Sequence, residues 1–121
     1  MATRRALSPR LRHRVDVQDL LTVQDSEGGT AETWVSLLDS DEVLLPAEIV
    51  PMSGREFIAA AQVQAGVDTR ITLRAWRLPF SPRMRIVHPA DGVIYSIRAV
   101  QPDPSLRRHV TLLAESGVNR G

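Results

Sequence analysis

The sequence predicts a mainly β protein, a small antiparallel β-barrel of five to six strands with one inserted α-helix. Short runs of alternating apolar and polar residues follow one another closely, and most of the joints carry the glycine, proline and aspartate of tight turns. Between Pro51 and Gly66 this alternation gives way to helical spacing. A chain of 121 residues suits one domain, predicted at 11–116, between a flexible basic arm (1–10) and a tail (117–121).

The first strands are predicted to form a hairpin. From His13 onward, apolar side chains occupy alternate positions, as in a half-buried strand, and these are Val15, Val17, Leu21 and Val23. The paired glycines of the following turn, Asp25 to Gly29, permit the positive φ of tight hairpins. The return strand runs from Glu32 to Leu37 with Trp34 as its anchor. Pro46 in the next strand, Val43 to Val50, predicts an edge or a bulge because proline has no amide to donate.

A capping box predicts where the helix begins. Ser53 and Glu56 have its three-residue spacing, in which the hydroxyl and the carboxylate satisfy each other's backbone amides. Apolar groups then share one side at Phe57, Ile58 and Ala61, and Gly66 supplies a stop, which predicts a helix over 53–66. An isolated helix of this length is marginal in water, so we expect it to pack on the strands or on a neighbouring subunit.

The second half of the chain predicts four more strands. They are Asp68–Trp76, a short strand with Met84, Ile86 and His88 on one face, Val93–Val100, and a last strand with Val110, Leu112 and Ala114 on one face. Proline and glycine mark the turns between them, at Pro79–Pro82, Pro89–Gly92 and Gln101–Ser105.

Charge is segregated along the chain although the formal net charge is only +1. Five arginines precede the first acid, and they are Arg4, Arg5, Arg10, Arg12 and Arg14. The segment from Asp16 to Glu48 has acids and no arginine, and arginine dominates again from Arg55. Two interpretations stay open: complementary faces that meet between identical subunits, or solvated faces with a loose basic tail. All basic residues other than histidine are arginine, which indicates coding bias first and selection for bidentate contacts second.

Catalytic and cofactor motifs are missing from the sequence. The chain has no cysteine, so it has no thiolate nucleophile and no cysteine zinc site. Its three histidines lie at no metal-ligand spacing, and Gly28-Gly29 lacks the context of a phosphate-binding loop. We therefore predict a protein without enzyme activity, metal or cofactor. No apolar run approaches the length of a membrane helix, and the start of the chain lacks the apolar segment of a signal peptide, so we expect no membrane association.

A small barrel that binds nucleic acid is the alternative function. Such proteins combine rings that stack on bases with cations that contact phosphates. Arginine and tryptophan are predicted on one strand face at Arg74 and Trp76, and Arg83 and Arg85 follow. Aromatic residues are only 4% of the chain, however, and an outer face on which Trp76 packs against a neighbour explains this pattern equally well.

The motifs together resemble the head-tail joining proteins of tailed phages, also called head closure or stopper proteins. The resemblance covers about Leu11 to Glu115, and it is carried by the order of the segments LRHRV, ETW, PMSGREF, AAQVQA, TRITLR, PRMRIVH, YSIRAV and VTLLAE. The departures are a longer connection at Ser40–Leu45 and the arginine-only basic set.

This resemblance implies a structural connector at the virion neck, assembled in the host cytoplasm. In this family, small β-barrels form a ring, typically of twelve subunits, which closes the filled capsid below the portal and its adaptor. Double-stranded DNA passes through the ring without sequence specificity, and a tail terminator or tail tube protein docks below. Infectious phage, prophage remnant and gene-transfer particle all stay open as the source.

The resemblance also implies site residues. In relatives the segment that matches Pro51–Gly66 approaches the channel, so candidates for channel or intersubunit contact are Ser53, Arg55, Glu56, Gln62 and Gln64. Candidate contacts with a partner or with DNA are Arg10, Arg12, Arg14, Arg74, Arg83 and Arg85.

Overall fold

The fold is a closed six-stranded antiparallel β-barrel with one additional strand and one short helix, within the residues that the computed structural model describes (10–63, 66–102 and 108–117). The elements are β1 (His13–Gln24), β2 (Thr30–Ser36), β3 (Leu45–Pro51), α1 (Gly54–Val63), β4 (Thr69–Arg74), β5 (Arg85–His88), β6 (Val93–Pro102) and β7 (His109–Ser116). The predicted class is confirmed. The predicted arm lies outside the described residues apart from Arg10, and the predicted tail apart from Gly117.

The barrel closes because β1 pairs on two sides. Neighbouring barrel strands follow the order β1, β3, β4, β7, β6 and β5, and β5 pairs back onto β1. Gln18 is the branch point, since it pairs with Ser36 of β2 on one edge and with Arg85 of β5 on the other. From Asp19 to Gln24, β1 pairs only with β2 among the described strands. The second half of the β1–β2 hairpin therefore extends beyond the barrel.

The core is built from the inward-facing residues of the barrel strands. The largest side chains that are less than 2% exposed are Val15, Val17, Val67, Ile71, Leu73, Ile86, Ile97 and Leu112. Most of these are the apolar members of the predicted alternation. Removal of each such side chain from water contributes about 1.5–3 kcal/mol, so this shared interior is the main source of stability.

Burial stops abruptly along β1. Leu21 and Val23 continue the alternation of Val15 and Val17, yet they are 47% and 45% exposed. Every residue from 21 to 33 is exposed. The expected burial of Leu21 and Val23 is therefore wrong for the single chain, because the strands that enclose the first half of β1 do not reach the second half.

Pro46 has a local explanation. It pairs with Arg14 of β1, whereas the pairing of β3 with β4 begins one residue later, at Ala47. β3 lies inside the barrel sheet, but at Pro46 it pairs with β1 and not with β4. Its missing amide therefore leaves no gap in the β3–β4 ladder.

Candidate functional site

The inserted helix α1 begins at the predicted capping box. The Ser53 amide donates a hydrogen bond to Oε1 of Glu56, and the Glu56 amide donates one to Oγ of Ser53, both over 3.3 Å. The hydrogen bonds with Ser53, followed by the charge of Arg70, hold the pKa of the Glu56 carboxyl below its usual range. The helix starts as predicted, at the residue after Ser53, and its last described residue is Val63.

A short ion pair fastens this helix to the barrel. Nη1 of Arg70, on β4, lies 2.6 Å from Oε2 of Glu56. Glu56 is half-buried, while Arg55, Ile58 and Ala59 are exposed. These three residues have the spacing of neighbours on one helical face. Of the predicted site residues, Glu56 therefore holds the helix in place and Arg55 faces solvent.

The structure does not test the two glutamines that were predicted for the same site. Gln62 lies in α1, and Gln64 lies outside the described residues. Their predicted role at a channel or between subunits stays a prediction.

The arginines before and at the start of β1 differ from one another. Nε and Nη2 of Arg10 donate hydrogen bonds to the two carboxylate oxygens of Glu48 over 2.8 and 2.7 Å. The hydrogen bonds from Arg10 are also the main reason that the pKa of Glu48 is lowered. Arg12 and Arg14 are exposed, and the structure shows no ion pair between either of them and the residues that it describes. Arg10 thus forms an ion pair within its own chain, whereas Arg12 and Arg14 are available to a partner.

The cluster predicted for nucleic acid is largely engaged within the chain. Arg85 is 8% exposed, its Nε donates to Oε1 of Gln18 over 2.8 Å, and its guanidinium lies 4.3 Å from the centre of the Trp34 ring. Burial lowers the pKa of Arg85. Nε of Arg83 lies 3.7 Å from Oδ1 of Asp19. Arg74 is exposed at the end of β4.

A hydrogen-bonded cluster around the Glu42 carboxylate joins two loops. Glu42 accepts hydrogen bonds from Nε1 of Trp76 over 3.0 Å, from the Asp39 amide over 2.7 Å, and from the guanidinium of Arg77. Nη2 of Arg77 also donates to the Leu37 carbonyl over 2.6 Å. These contacts, with Arg77 first, lower the pKa of Glu42 to about 2. The three-residue spacing of Asp39 and Glu42 was a signal for such a local hydrogen bond.

Some of the segregated charges meet inside one chain. Four ion pairs join the acidic segment to arginines outside it, and they are Arg10–Glu48, Arg83–Asp19, Arg77–Glu42 and Arg77–Asp39. The fold therefore explains part of the charge segregation, because it brings acids and arginines from distant segments together.

Two of the histidines make contacts that the sequence did not predict. The rings of His13 and His88 meet edge to face at 5.0 Å, and Nδ1 of His88 lies 3.0 Å from Oδ1 of Asp91. Across the described ranges, no three histidine, aspartate or glutamate side chains group together in a way that suits a metal ion. None of the helical structure described there has the length and apolar character needed to cross a membrane.

The family model described as phage head completion protein matches residues 7–117. The chain belongs to this family. The head completion role is structural, so this protein is a virion component that contacts other components of a phage particle. A solved structure, protein SF1141 from Shigella flexneri 2a, is 27% identical with a TM-score of 0.71, over 92% of this chain and 96% of that one. No curated protein matched the chain significantly.

Proposed function

We propose that this head completion protein is a ring subunit at the head-tail interface, where it closes the DNA-filled capsid below the portal and its adaptor. The ring has about twelve copies, as the family resemblance implies, and a tail terminator or tail tube protein docks on its lower face. The match of the family model across residues 7–117 is the observation that carries this proposal. The protein acts by assembly, without catalysis.

The two elements that project from the barrel support an assembling subunit. The β1–β2 hairpin exposes Leu21 and Val23, and helix α1 exposes Ile58, which is 64% accessible. Apolar side chains that are grouped on projecting elements are typical of surfaces that a partner covers. Exposure of these apolar side chains to water is unfavourable, and it would serve no purpose in a protein that acts as a monomer.

The exposed arginines support a channel through which DNA moves. Arg12, Arg14 and Arg55 are exposed, while most other described arginines contact carboxylates or aromatic rings of their own chain. Each neutralised phosphate releases counterions and adds to the affinity for DNA. A surface with few available cations therefore lets DNA pass instead of clamping it.

Particles made without this protein test the proposal. Deletion of the gene should yield full-length tails beside unjoined heads that have lost DNA, as seen by negative-stain electron microscopy. The intact gene supplied in trans should restore joined particles and infectivity. Joined, DNA-filled particles from the deletion strain would contradict the proposal.

Binding to oligonucleotides tests the alternative function. A free nucleic-acid-binding protein should bind them as a monomer, with an affinity that falls steeply with salt and on Arg74→Ala. A matched Arg55→Ala variant, also exposed, tests whether Arg74 contributes specifically. We expect no binding at moderate salt, and salt-sensitive binding that depends on Arg74 would favour the alternative.

A further inference from the structure

The half of the β1–β2 hairpin beyond the barrel, residues 19–35, is called the ribbon here. Its strands pair from Asp19 with Val35 to Gln24 with Thr30, and the structure shows no third strand beside them among the described residues. At about 3.3 Å per residue the ribbon projects by roughly 20 Å. An isolated two-stranded hairpin is marginally stable in water, so a ribbon of this kind is better explained if another surface supports it.

One face of the ribbon is apolar and uncovered. Directly paired residues share a face, so Leu21 with Thr33 and Val23 with Ala31 continue the face that Val17 presents to the core. The opposite face is partly covered at its base, where Trp34 stacks with Arg85. The inner face of the barrel therefore continues into solvent as a small apolar strip.

Acidic residues lie at both ends of this strip, Asp19 at its base and Asp25 and Glu27 in the turn, while Glu32 lies on the opposite face. Asp25, Glu27 and Glu32 lie on the ribbon, which has no lysine, arginine or histidine. Asp19 at its base is near the guanidinium of Arg83, but the structure shows no ion pair between the other three acids and the residues described. A partner surface that suits the ribbon is apolar at its centre and basic at its edge.

Helix α1 presents a surface of that kind. Ile58 is 64% exposed, Arg55 and Ala59 are exposed beside it on the same helical face, and Glu56 is turned to Arg70 of the barrel. The structure shows no ion pair between Arg55 and the described part of the chain. This helix face therefore offers one large apolar side chain and one available cation.

We propose that the ribbon of one copy packs on the α1 face of the next copy in the ring. Leu21 and Val23 contact Ile58, and Glu27, in the turn at the end of the ribbon, contacts Arg55. The inference rests on the proposed ring and names the surfaces that build it. Because the two surfaces differ, every copy keeps one of each available to a further neighbour, and a rotation that closes produces a ring.

Cysteine cross-linking in assembled particles tests this contact, and the cysteine-free chain makes the experiment clean. The double variant Leu21→Cys/Ile58→Cys, supplied in trans to the deletion strain, should give a ladder of covalent multimers on a non-reducing gel after mild oxidation. The control, Val43→Cys/Ile58→Cys, has a cysteine at a position that is 79% exposed but outside the contact, and it should give no ladder.

The outcomes separate the interface from the function. Joined particles that contain the double variant but give no ladder, or a ladder equal to the control, would overturn the interface and leave the proposed function intact. Absence of the protein from joined particles would overturn both.

Charge reversal gives a second readout. Glu27→Arg and Arg55→Glu, each alone, should lower the yield of joined particles by about tenfold, because each places like charges together across the contact. The combined variant should recover most of that yield. Single reversals without effect, or a combined variant that is worse than either, would contradict the contact.

Discussion

Trp76 donates a hydrogen bond from its indole Nε1 to Oε2 of Glu42 over 3.0 Å, and this contact fastens the connection after β2 to the loop after β4. The guanidinium of Arg77 lies 4.7 Å from the centre of the same indole ring and also bonds to Glu42. One carboxylate therefore positions two consecutive residues of a loop that is 34 positions further along the chain.

Glu42 should make the stability of the protein depend on pH. Its pKa is lowered to about 2 in the folded chain, against about 4.3 for an unperturbed glutamate. A carboxyl with a lowered pKa stabilises the fold at pH values above its unfolded pKa, and this stabilisation is lost as the pH falls toward the folded pKa. Glu42→Gln should therefore lower the free energy of unfolding at pH 7, and its difference from the wild type should shrink below about pH 4.5.

Urea unfolding at several pH values, followed by tryptophan fluorescence, measures this difference. Asp41→Asn removes a neighbouring exposed carboxylate and serves as the control. A difference between Glu42→Gln and wild type that stays constant from pH 7 to the acid range would contradict the assignment.

Replacement by alanine should destabilise the protein much more at a core leucine than at a ribbon leucine. Leu112 is fully buried between neighbouring strands, and its replacement by alanine should lower the free energy of unfolding by about 2–5 kcal/mol. Leu21→Ala is the matched control, because Leu21 is 47% exposed in the single chain and should lose less than about 1 kcal/mol. Denaturant unfolding of the monomer tests both, and equal losses would show that the ribbon is buried in the free protein.

Two turn glycines should respond differently to alanine. Gly66 and Gly92 both have positive φ, +88° and +75°, so either replacement introduces backbone strain of about 1–2 kcal/mol. A Cβ on Gly66 would also lie 2.7 Å from Oε1 of Glu115, which accepts hydrogen bonds from Arg98, whereas a Cβ on Gly92 meets open space. Gly66→Ala should thus lower the thermal midpoint more than Gly92→Ala, and the reverse order would be inconsistent with this packing.

Replacement of Arg55 and Glu56 together should spare the barrel and impair the particle. The barrel core contains neither residue, so the unfolding midpoint of the purified Arg55→Ala/Glu56→Ala variant should stay close to that of wild type. The yield of DNA-filled, joined particles should fall, because the variant loses the ion pair to Arg70 and the exposed cation together. Arg55→Ala alone separates the two effects, and normal particles from the double variant would refute a role for this helix in assembly.

Alternation predicted the strands of the barrel and of the ribbon, but not the exposure of the ribbon. A two-residue period shows that Leu21 and Val23 share a face with Val17, and this is what the structure has. Whether that face is covered depends on how far β5 and β3 extend beside β1, which is a long-range property with no local signal. The helix start was predictable because both partners of the Ser53–Glu56 capping box lie within one turn.

Ion pairs between distant segments account for the parts of the candidate site that sequence analysis could not assign. Arg10 and Glu48 are 38 positions apart, and nothing in the local sequence of Arg10 distinguishes it from Arg12. Glu42 is a second example, because its partners Trp76 and Arg77 lie in the loop after β4, far from it in the sequence. Residue type alone therefore predicted a set of arginines, and only the fold shows which of them are available to a partner.

The pairing of β1 with β5, which closes the barrel, has a consequence for synthesis on the ribosome. It joins Gln18 to Arg85, which is 67 positions later, whereas the hairpin of β1 and β2 is complete at Ser36. In the nascent chain, Val15 and Val17 therefore lack their β5 neighbours until about 50 further residues have been added. At bacterial rates of synthesis this takes roughly 3–10 s. The first strand made is among the last to be enclosed.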